Sequence, residues 1–477
     1  MNYLGQRNDK IKETNQIIGK EQLKLLKQKM EYNPMPPLKI ENNKYKIESI
    51  FVKDILKPEI GLKTPIYVYS KQRLLENYLT FKSIFSEAFY KYDIDVIINF
   101  ACKANSNPTI LGILRDLGSH IDAVTVEEVK HCLLCGFDNT KIFYTGVSNS
   151  KEDINWLLEN EIQINFDSVN DLKKISKLNL EKLRVGSFRV IPNISAGHHH
   201  KTHTGHEGSK FGIPFNEIIS AYRELINLGI KKFGIHCHIG SGSLQVDPFI
   251  DTVKAMMDIL KKLKKELNIE VEYIDFGGGF GVPYRIDEKP LDLQIVAEKS
   301  AEIINNALLE LNYSKKPVIH YEPGRYIVCD TSVILTRVNT IKRSGKTNYA
   351  LVDASMATLI RPAMYDSYHH ILAEKSEITN SNNSDLVDYC VAGRVCESGD
   401  IINKSIKLPK LEENDILIIT NAGAYGYQMA LANYNGIGLP YQILIDDNKI
   451  HLISTKIDMI DISGLTRAFN YMKNLNL

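Results

Sequence analysis

The chain has almost no net charge: 58 Lys and Arg stand against 57 Asp and Glu, a formal balance of +1 over 477 residues. So even a balance exerts no global pull on nucleic acid or an anionic membrane, and neither is expected as a partner. Long apolar runs are also missing; the one at 94–101 falls far short of a bilayer span. Cysteine is sparse and irregularly spaced, seven in all. That excludes a disulfide framework and fits a reducing compartment. Residues 1–30 alternate Lys with Glu, Asp and Gln and contain no apolar stretch. Neither a secretory signal nor a transit peptide is expected, which leaves the cytoplasm.

What is present is an ordinary globular composition, 44% hydrophobic, arranged in four segments. Residues 1–37 read as a polar extension closed by Asn33-Pro-Met-Pro-Pro-Leu38. Residues 38–63 carry one strand-like run, 45–51, expected to join a later β domain. Over 64–325, β-rich runs recur at 94–102, 120–124, 141–145, 162–166, 185–191, 233–239, 271–276 and 318–321. Stretches of helical spacing separate them, at 108–117, 127–134, 153–159, 216–228, 248–267 and 291–311. This alternation implies parallel βαβ units. Eight of them match a (β/α)8 barrel, with an open doubly wound sheet as the competing α/β architecture. After residue 325 the rhythm breaks. Runs at 332–341, 349–353, 386–392, 416–420, 442–445 and 450–454 predict an antiparallel β-sandwich or barrel-like domain over 326–477.

Barrel chemistry sits where strands end. The first run ends in Lys103, where desolvation would lower the amine pKa and favour a Schiff-base role over a solvated charge. The sixth leads to His238, either a satisfied core imidazole or a functional one. The seventh ends in Gly277-Gly278-Gly279-Phe-Gly281, a tight turn or an anion cradle, without the spacing of a dinucleotide fingerprint. The eighth ends in Glu322-Pro-Gly324-Arg325. An amine for an imine, an anion site and an acid for a ring nitrogen are together what pyridoxal 5′-phosphate requires.

These segments are similar to those of the alanine-racemase-type (fold type III) pyridoxal-phosphate decarboxylases, and the sequence most resembles the branch acting on diaminopimelate. The likeness covers roughly 64–441. It rests on Thr64-Pro-Ile-Tyr-Val-Tyr69, Lys103-Ala-Asn105, Ser209-Lys-Phe-Gly-Ile213, His236-Cys-His-Ile-Gly-Ser241, Gly277-Gly-Gly-Phe-Gly281 and Glu322-Pro-Gly-Arg325. It continues through Arg361-Pro-Ala-Met-Tyr365, Cys396-Glu-Ser-Gly-Asp400 and Gly423-Ala-Tyr425. The resemblance implies that Lys103 carries the cofactor covalently, that His238 stacks on its ring and that Glu322 pairs with the ring nitrogen. By the same resemblance Ser241, Gly277, Gly278, Gly279, Gly324, Arg325 and Tyr425 hold the cofactor, mostly by its phosphate. Cys396 is the implied proton donor, reaching across a homodimer interface into a shared site. Arg325, Arg361, Tyr365, Glu397 and Tyr425 match the substrate positions.

Charge points to the substrate. Diaminopimelate has a second amino-acid centre, whose carboxylate calls for a guanidinium in bidentate geometry. The expected reaction is decarboxylation of meso-diaminopimelate to L-lysine, the last step of lysine synthesis. Another basic amino acid (ornithine, arginine or a carboxylated polyamine), a non-catalytic cofactor-binding homologue and an oxidoreductase remain as alternatives. The sequence departs from the family at Gly393-Arg394, at Tyr326 and at Thr125-Val-Glu-Glu128. No metal is expected. His198, His199, His200, His203 and His206 read as a polar lid, and Cys132 and Cys135 as buried thiols.

Overall fold

The computed structural model describes residues 35–192, 209–375 and 386–458; the 1–34 extension and the His198–His206 cluster lie outside them. Each of the eight β-rich runs forms a strand of one parallel sheet, because their nearly continuous apolar side chains are covered on both faces. The strands are β1 (Val96–Ala101), β2 (His120–Ala123), β3 (Ile142–Tyr144), β4 (Gln163–Ile164), β5 (Gly186–Val190), β6 (Phe233–Cys237), β7 (Val271–Asp275) and β8 (Val318–Tyr321). Their order is β4-β3-β2-β1-β8-β7-β6-β5. The two ends meet where Phe166 bridges Phe188 in parallel. There Phe166 N–H donates to Ser187 O at 2.8 Å and Arg189 N–H to Phe166 O at 2.9 Å. The sheet is therefore a closed (β/α)8 barrel, and the open-sheet alternative falls.

Capped helices connect the strands. Thr125, in the segment that departs from the family, accepts from Glu128 N–H as an N-cap of Val126–Leu134, and Ser150 with Asp153 forms a capping box on Lys151–Glu159. One long helix, Lys71–Tyr90, is not among the expected elements. Its buried stripe of Leu74, Tyr78, Phe81, Phe85 and Phe89 keeps helical spacing. Phe85 meets Tyr321 at 4.4 Å between ring centroids, and Phe81 meets Phe280 at 4.8 Å. Tyr326 packs 5.5 Å from Phe81, so this departure is a core contact.

The second sheet corrects three expectations. First, it is mixed: Thr347–Val352 runs parallel to Leu386–Ala392, and Ile66–Ser70 parallel to Tyr441–Asp446. Second, Ile66–Ser70, expected at the head of the barrel segment, lies in this sheet between Ser332–Ser344 and Tyr441–Asp446. Its side chains are buried throughout, which suits a central strand better than an edge. Third, within residues 38–63 the strands, Leu38–Glu41, Lys44–Ile47 and Ile50–Phe51, form a sheet of their own, and the segment joins the second domain, as expected, but by packing. Leu38, Tyr45, Ile47, Val52 and Ile55 share a core with Ile66, Val68, Val333 and Ile443. Strands Ile371–Ala373 and Ile401–Pro409 were not foreseen.

Candidate active site

β1 runs into a single 3-10 turn, Cys102–Ala104, that carries Lys103. Lys103 Nζ donates to Asp122 Oδ2 at 2.6 Å. Asp122 lies within β2, fully buried, and also accepts from Thr145 Oγ1. Burial alone would lower the lysine pKa, as the sequence suggests. Asp122 and then Glu322 outweigh it and hold the ammonium above its ordinary value. The expectation of an amine neutralised by burial is thus corrected: its charge is kept by a carboxylate one strand away.

β6, β7 and β8 build a second cluster. His236 of β6 is in register with Asp275 of β7, and Glu322 follows β8. His236 Nε2 lies 3.3 Å from Glu322 Oε1, both almost wholly buried. The two are not aligned as a hydrogen bond, so Glu322 Oε1 keeps an acceptor position open. Asp275 accepts from Gly277 N–H at 2.9 Å and from Asn99 Nδ2 at 3.2 Å. Burial opposes the Glu322 charge, yet His236, Lys103 and His238 hold its pKa down at about 2. Asp275 is pushed well up by burial and by Glu322. Of these two coupled acids, Glu322 is thus the one whose charge the surroundings favour. Ligand atoms of His236, Asp275 and Glu322 come within 4.8 Å of one another, and the upward shift of Asp275 works against a cation there.

His238 follows β6, and its Nδ1 accepts Gly278 N–H at 3.0 Å. Burial, Arg189 and Lys103 push its pKa well down, leaving a neutral imidazole. A Cβ on Gly277 would stand 2.4 Å from Cys237 O, and one on Gly278 2.3 Å from Glu322 O; both positions require glycine. Their N–H groups go to Asp275 and His238, so these glycines serve the site by orienting side chains. The anion end lies beyond them. Arg325 Nη2 donates to Ser241 Oγ at 3.1 Å and Nη1 to Tyr284 OH at 2.6 Å. Its guanidinium lies 5.0 Å from the Tyr425 ring. Gly324, just before it, packs against Ala101 and Ala104. Tyr425 comes from the second domain, and its N–H donates to Ala104 O at 2.9 Å, tying that domain to the Lys103 turn.

Arg361 opens the short helix Arg361–Tyr365. It is only 6% exposed, and Nη2 donates to Ser367 Oγ at 3.1 Å. Its guanidinium lies 5.6 Å from the Tyr284 ring and 6.0 Å from that of Tyr365. Among the described residues neither Arg325 nor Arg361 is paired with a carboxylate, and Arg361 Nε has no hydrogen-bond partner. Two desolvated guanidiniums without anions mark a place for anions. Beside them, His369 Nδ1–H donates to Thr420 O at 2.9 Å. Burial and Arg361 lower its pKa to about 3, so it stays neutral beside the arginines.

Contacts thus link Lys103, His238, Ser241, Gly277–Gly279, Glu322, Gly324, Arg325, Tyr425, Arg361 and Tyr365 around one rim. Cys396 and Glu397 stand apart. Both are exposed, on a loop of the second domain, and their side chains bond to Asn435 and Tyr434. Asp122, His236 (quoted only as part of a motif), Asp275, Tyr284 and His369 were given no role in the sequence reading. The first three are polar residues inside apolar runs, a signal passed over when only the residue after each run is read. The residues present fit pyridoxal phosphate: an open, ionised acid for a ring nitrogen, a neutral imidazole for its face, an amine for its aldehyde, and Ser241 with Arg325 for its phosphate.

Comparison with known proteins agrees. Residues 80–329 match the family described as pyridoxal-dependent decarboxylase, pyridoxal binding domain. A diaminopimelate decarboxylase of Methanothermobacter thermautotrophicus is 41% identical over 84% of this chain and 90% of its own. The crystal structure of the Methanocaldococcus jannaschii diaminopimelate decarboxylase in complex with L-lysine superposes with a TM-score of 0.79 at 30% identity, over 91% of this chain and 98% of that one. The Helicobacter pylori enzyme with L-lysine gives 0.75 at 30% identity, over 86% and 98%.

Proposed function

Because the chain belongs to the pyridoxal-dependent decarboxylases, and within them to the diaminopimelate decarboxylases, we propose that it converts meso-2,6-diaminopimelate to L-lysine and CO2 as the last step of lysine synthesis. The cofactor is pyridoxal 5′-phosphate, which supplies an electron sink for the carbanion left when CO2 departs. The Lys103 amine is the group that would hold the cofactor by its aldehyde and would give it up to the substrate amine. Asp122 keeps the Lys103 amine oriented and takes part in its proton balance. Glu322, held ionised by His236, Lys103 and His238, would keep a proton on the ring nitrogen. His238 would cover the ring face, and Ser241, Arg325 and Tyr425 would hold the phosphate. Cys396 Sγ delivers the proton to the reacting carbon.

Cys396 and Glu397 are exposed on the second domain, away from the contacts that link the rim. This supports a homodimer in which each lends that loop to the other's barrel. All seven cysteines are free thiols, which supports a cytoplasmic setting. Among the described residues no helix is long and apolar enough to cross a membrane.

One observation carries the choice of substrate: Arg361, buried without a carboxylate. A diamine-forming decarboxylase has no use for a second desolvated guanidinium. Arg361→Ala removes the partner of the distal carboxylate, a loss of about 2–5 kcal/mol. That is a fall of roughly 30- to several-thousand-fold in kcat/KM on diaminopimelate. Slow turnover of lysine or ornithine, which lack that carboxylate, is expected to change far less. Equal losses on all substrates, in a folded variant with full cofactor, would assign the enzyme to simple basic amino acids instead.

A further inference from the structure

The loop that bears Cys396 is held from two sides. From within, the buried Asp400 accepts Val395 N–H at 2.8 Å and Met356 N–H at 2.6 Å, and Gly393 N–H donates to Asp400 O at 3.0 Å. A Cβ on Gly393 would come within 2.3 Å of that carboxylate, so the loop closes on it only with glycine there. From outside, the turn at 433–437 meets the loop residue for residue. Asn435 Oδ1 accepts the Cys396 backbone N–H at 3.3 Å and its Sγ–H at 3.2 Å. Tyr434 OH donates to Glu397 Oε2 at 3.4 Å.

This turn is built to present Asn435. Its backbone is left-handed, φ 51° and ψ 18°, a conformation that asparagine tolerates better than most residues. The segment leading into it is pinned by Leu431 N–H to Ala357 O at 2.9 Å, and the exit by Gly438 N–H to Ala432 O at 3.0 Å. A thiol on an exposed loop rotates freely about its Cα–Cβ bond unless something receives its hydrogen. Here one carbonyl oxygen receives both the thiol and the amide of the same residue, fixing side chain and backbone together.

We propose that Asn435 is the positioning residue for the Cys396 proton donor: it selects the thiol rotamer that meets the reacting carbon, and it acts on protonation and not on substrate capture. The proposal rests on the reading of Cys396 given above. A misplaced donor slows the step after CO2 loss and leaves recognition by the arginines intact.

The test uses the holoenzyme and two variants. Asn435→Gly keeps the left-handed backbone and removes the acceptor; Asn435→Asp keeps an acceptor oxygen at the same reach. The glycine variant is expected to lose about tenfold in kcat, with KM for diaminopimelate and the visible spectrum of the bound cofactor unchanged. The aspartate variant should recover most of the rate. In a Cys396→Ala background, Asn435→Gly should cost nothing further. Wild-type kcat in the glycine variant, or a full further loss in the Cys396→Ala background, would overturn the positioning role. If Cys396→Ala alone keeps its activity, the proton-donor reading fails, and this proposal with it.

Discussion

Lys103→Ala is expected to be inactive, with a loss on the order of 10⁴-fold or more, and to show no visible absorption from a covalently held cofactor. The reason is local. Lys103 is carried on the turn that ends β1, paired at 2.6 Å with the buried Asp122, and among the described residues it is the lysine in contact with this rim. Removing it also strands Asp122 without its counter-charge, so cofactor affinity should fall along with turnover. Cofactor titration by fluorescence and a CO2-release assay on the purified variant measure the two separately. Cofactor fixed by borohydride to another lysine in this variant would refute the assignment.

Activity should return when Lys103→Ala chains are mixed with Cys396→Ala chains, although each parent homodimer is nearly inactive. In a two-fold dimer with shared sites, each mixed dimer regains one complete site. Random exchange makes half the dimers mixed, so recovery should approach about a quarter of wild-type activity. The physical ground is that Cys396 is exposed and its hydrogen bonds run to Asn435, not to the rim that holds Lys103. Verified subunit exchange without recovered activity would show that the thiol works within its own chain, or not at all.

The eight barrel strands were legible because a buried parallel strand is nearly all apolar and its helices recur between. Even the two-residue β4 stood out by its place in that period. The long helix Lys71–Tyr90 was harder to see, since its aromatic stripe is diluted by Lys, Gln, Arg and Glu on the outer face. In the second domain, Ile401–Pro409 hid behind Lys404, Ser405 and Lys407 at its solvent-facing positions and behind a buried polar residue, Asn403. Strand direction there could not be read at all: the parallel pairing of Ile66–Ser70 with Tyr441–Asp446 joins segments with no local connection to signal it. Lys103, His238, Glu322 and Arg325 were legible as residues after strands, whereas Asp122, His236 and Asp275 lie inside strands, where a polar residue first reads as a weak strand. Tyr284, set between the two arginines, carries no charge and no motif of its own.

The strand Ile66–Ser70 has a consequence for how the chain is made. Tyr69 OH donates to Gln442 across 373 positions of sequence, so a segment made early waits for one made much later. At 5–20 residues per second the delay is roughly 20–75 s. Until Ser332–Ser344 is made the strand has no sheet neighbour, and until 441 one edge stays open, so the ribosome-bound chain displays Ile66, Tyr67, Val68 and Tyr69, each fully buried at the end. The barrel can close early, from contacts among its own neighbours. The second domain cannot; this middle strand is made long before either of its sheet neighbours. Molecules stopped short of residue 441 keep an open adhesive edge, which makes them substrates for chaperones and seeds for aggregation rather than smaller versions of the enzyme.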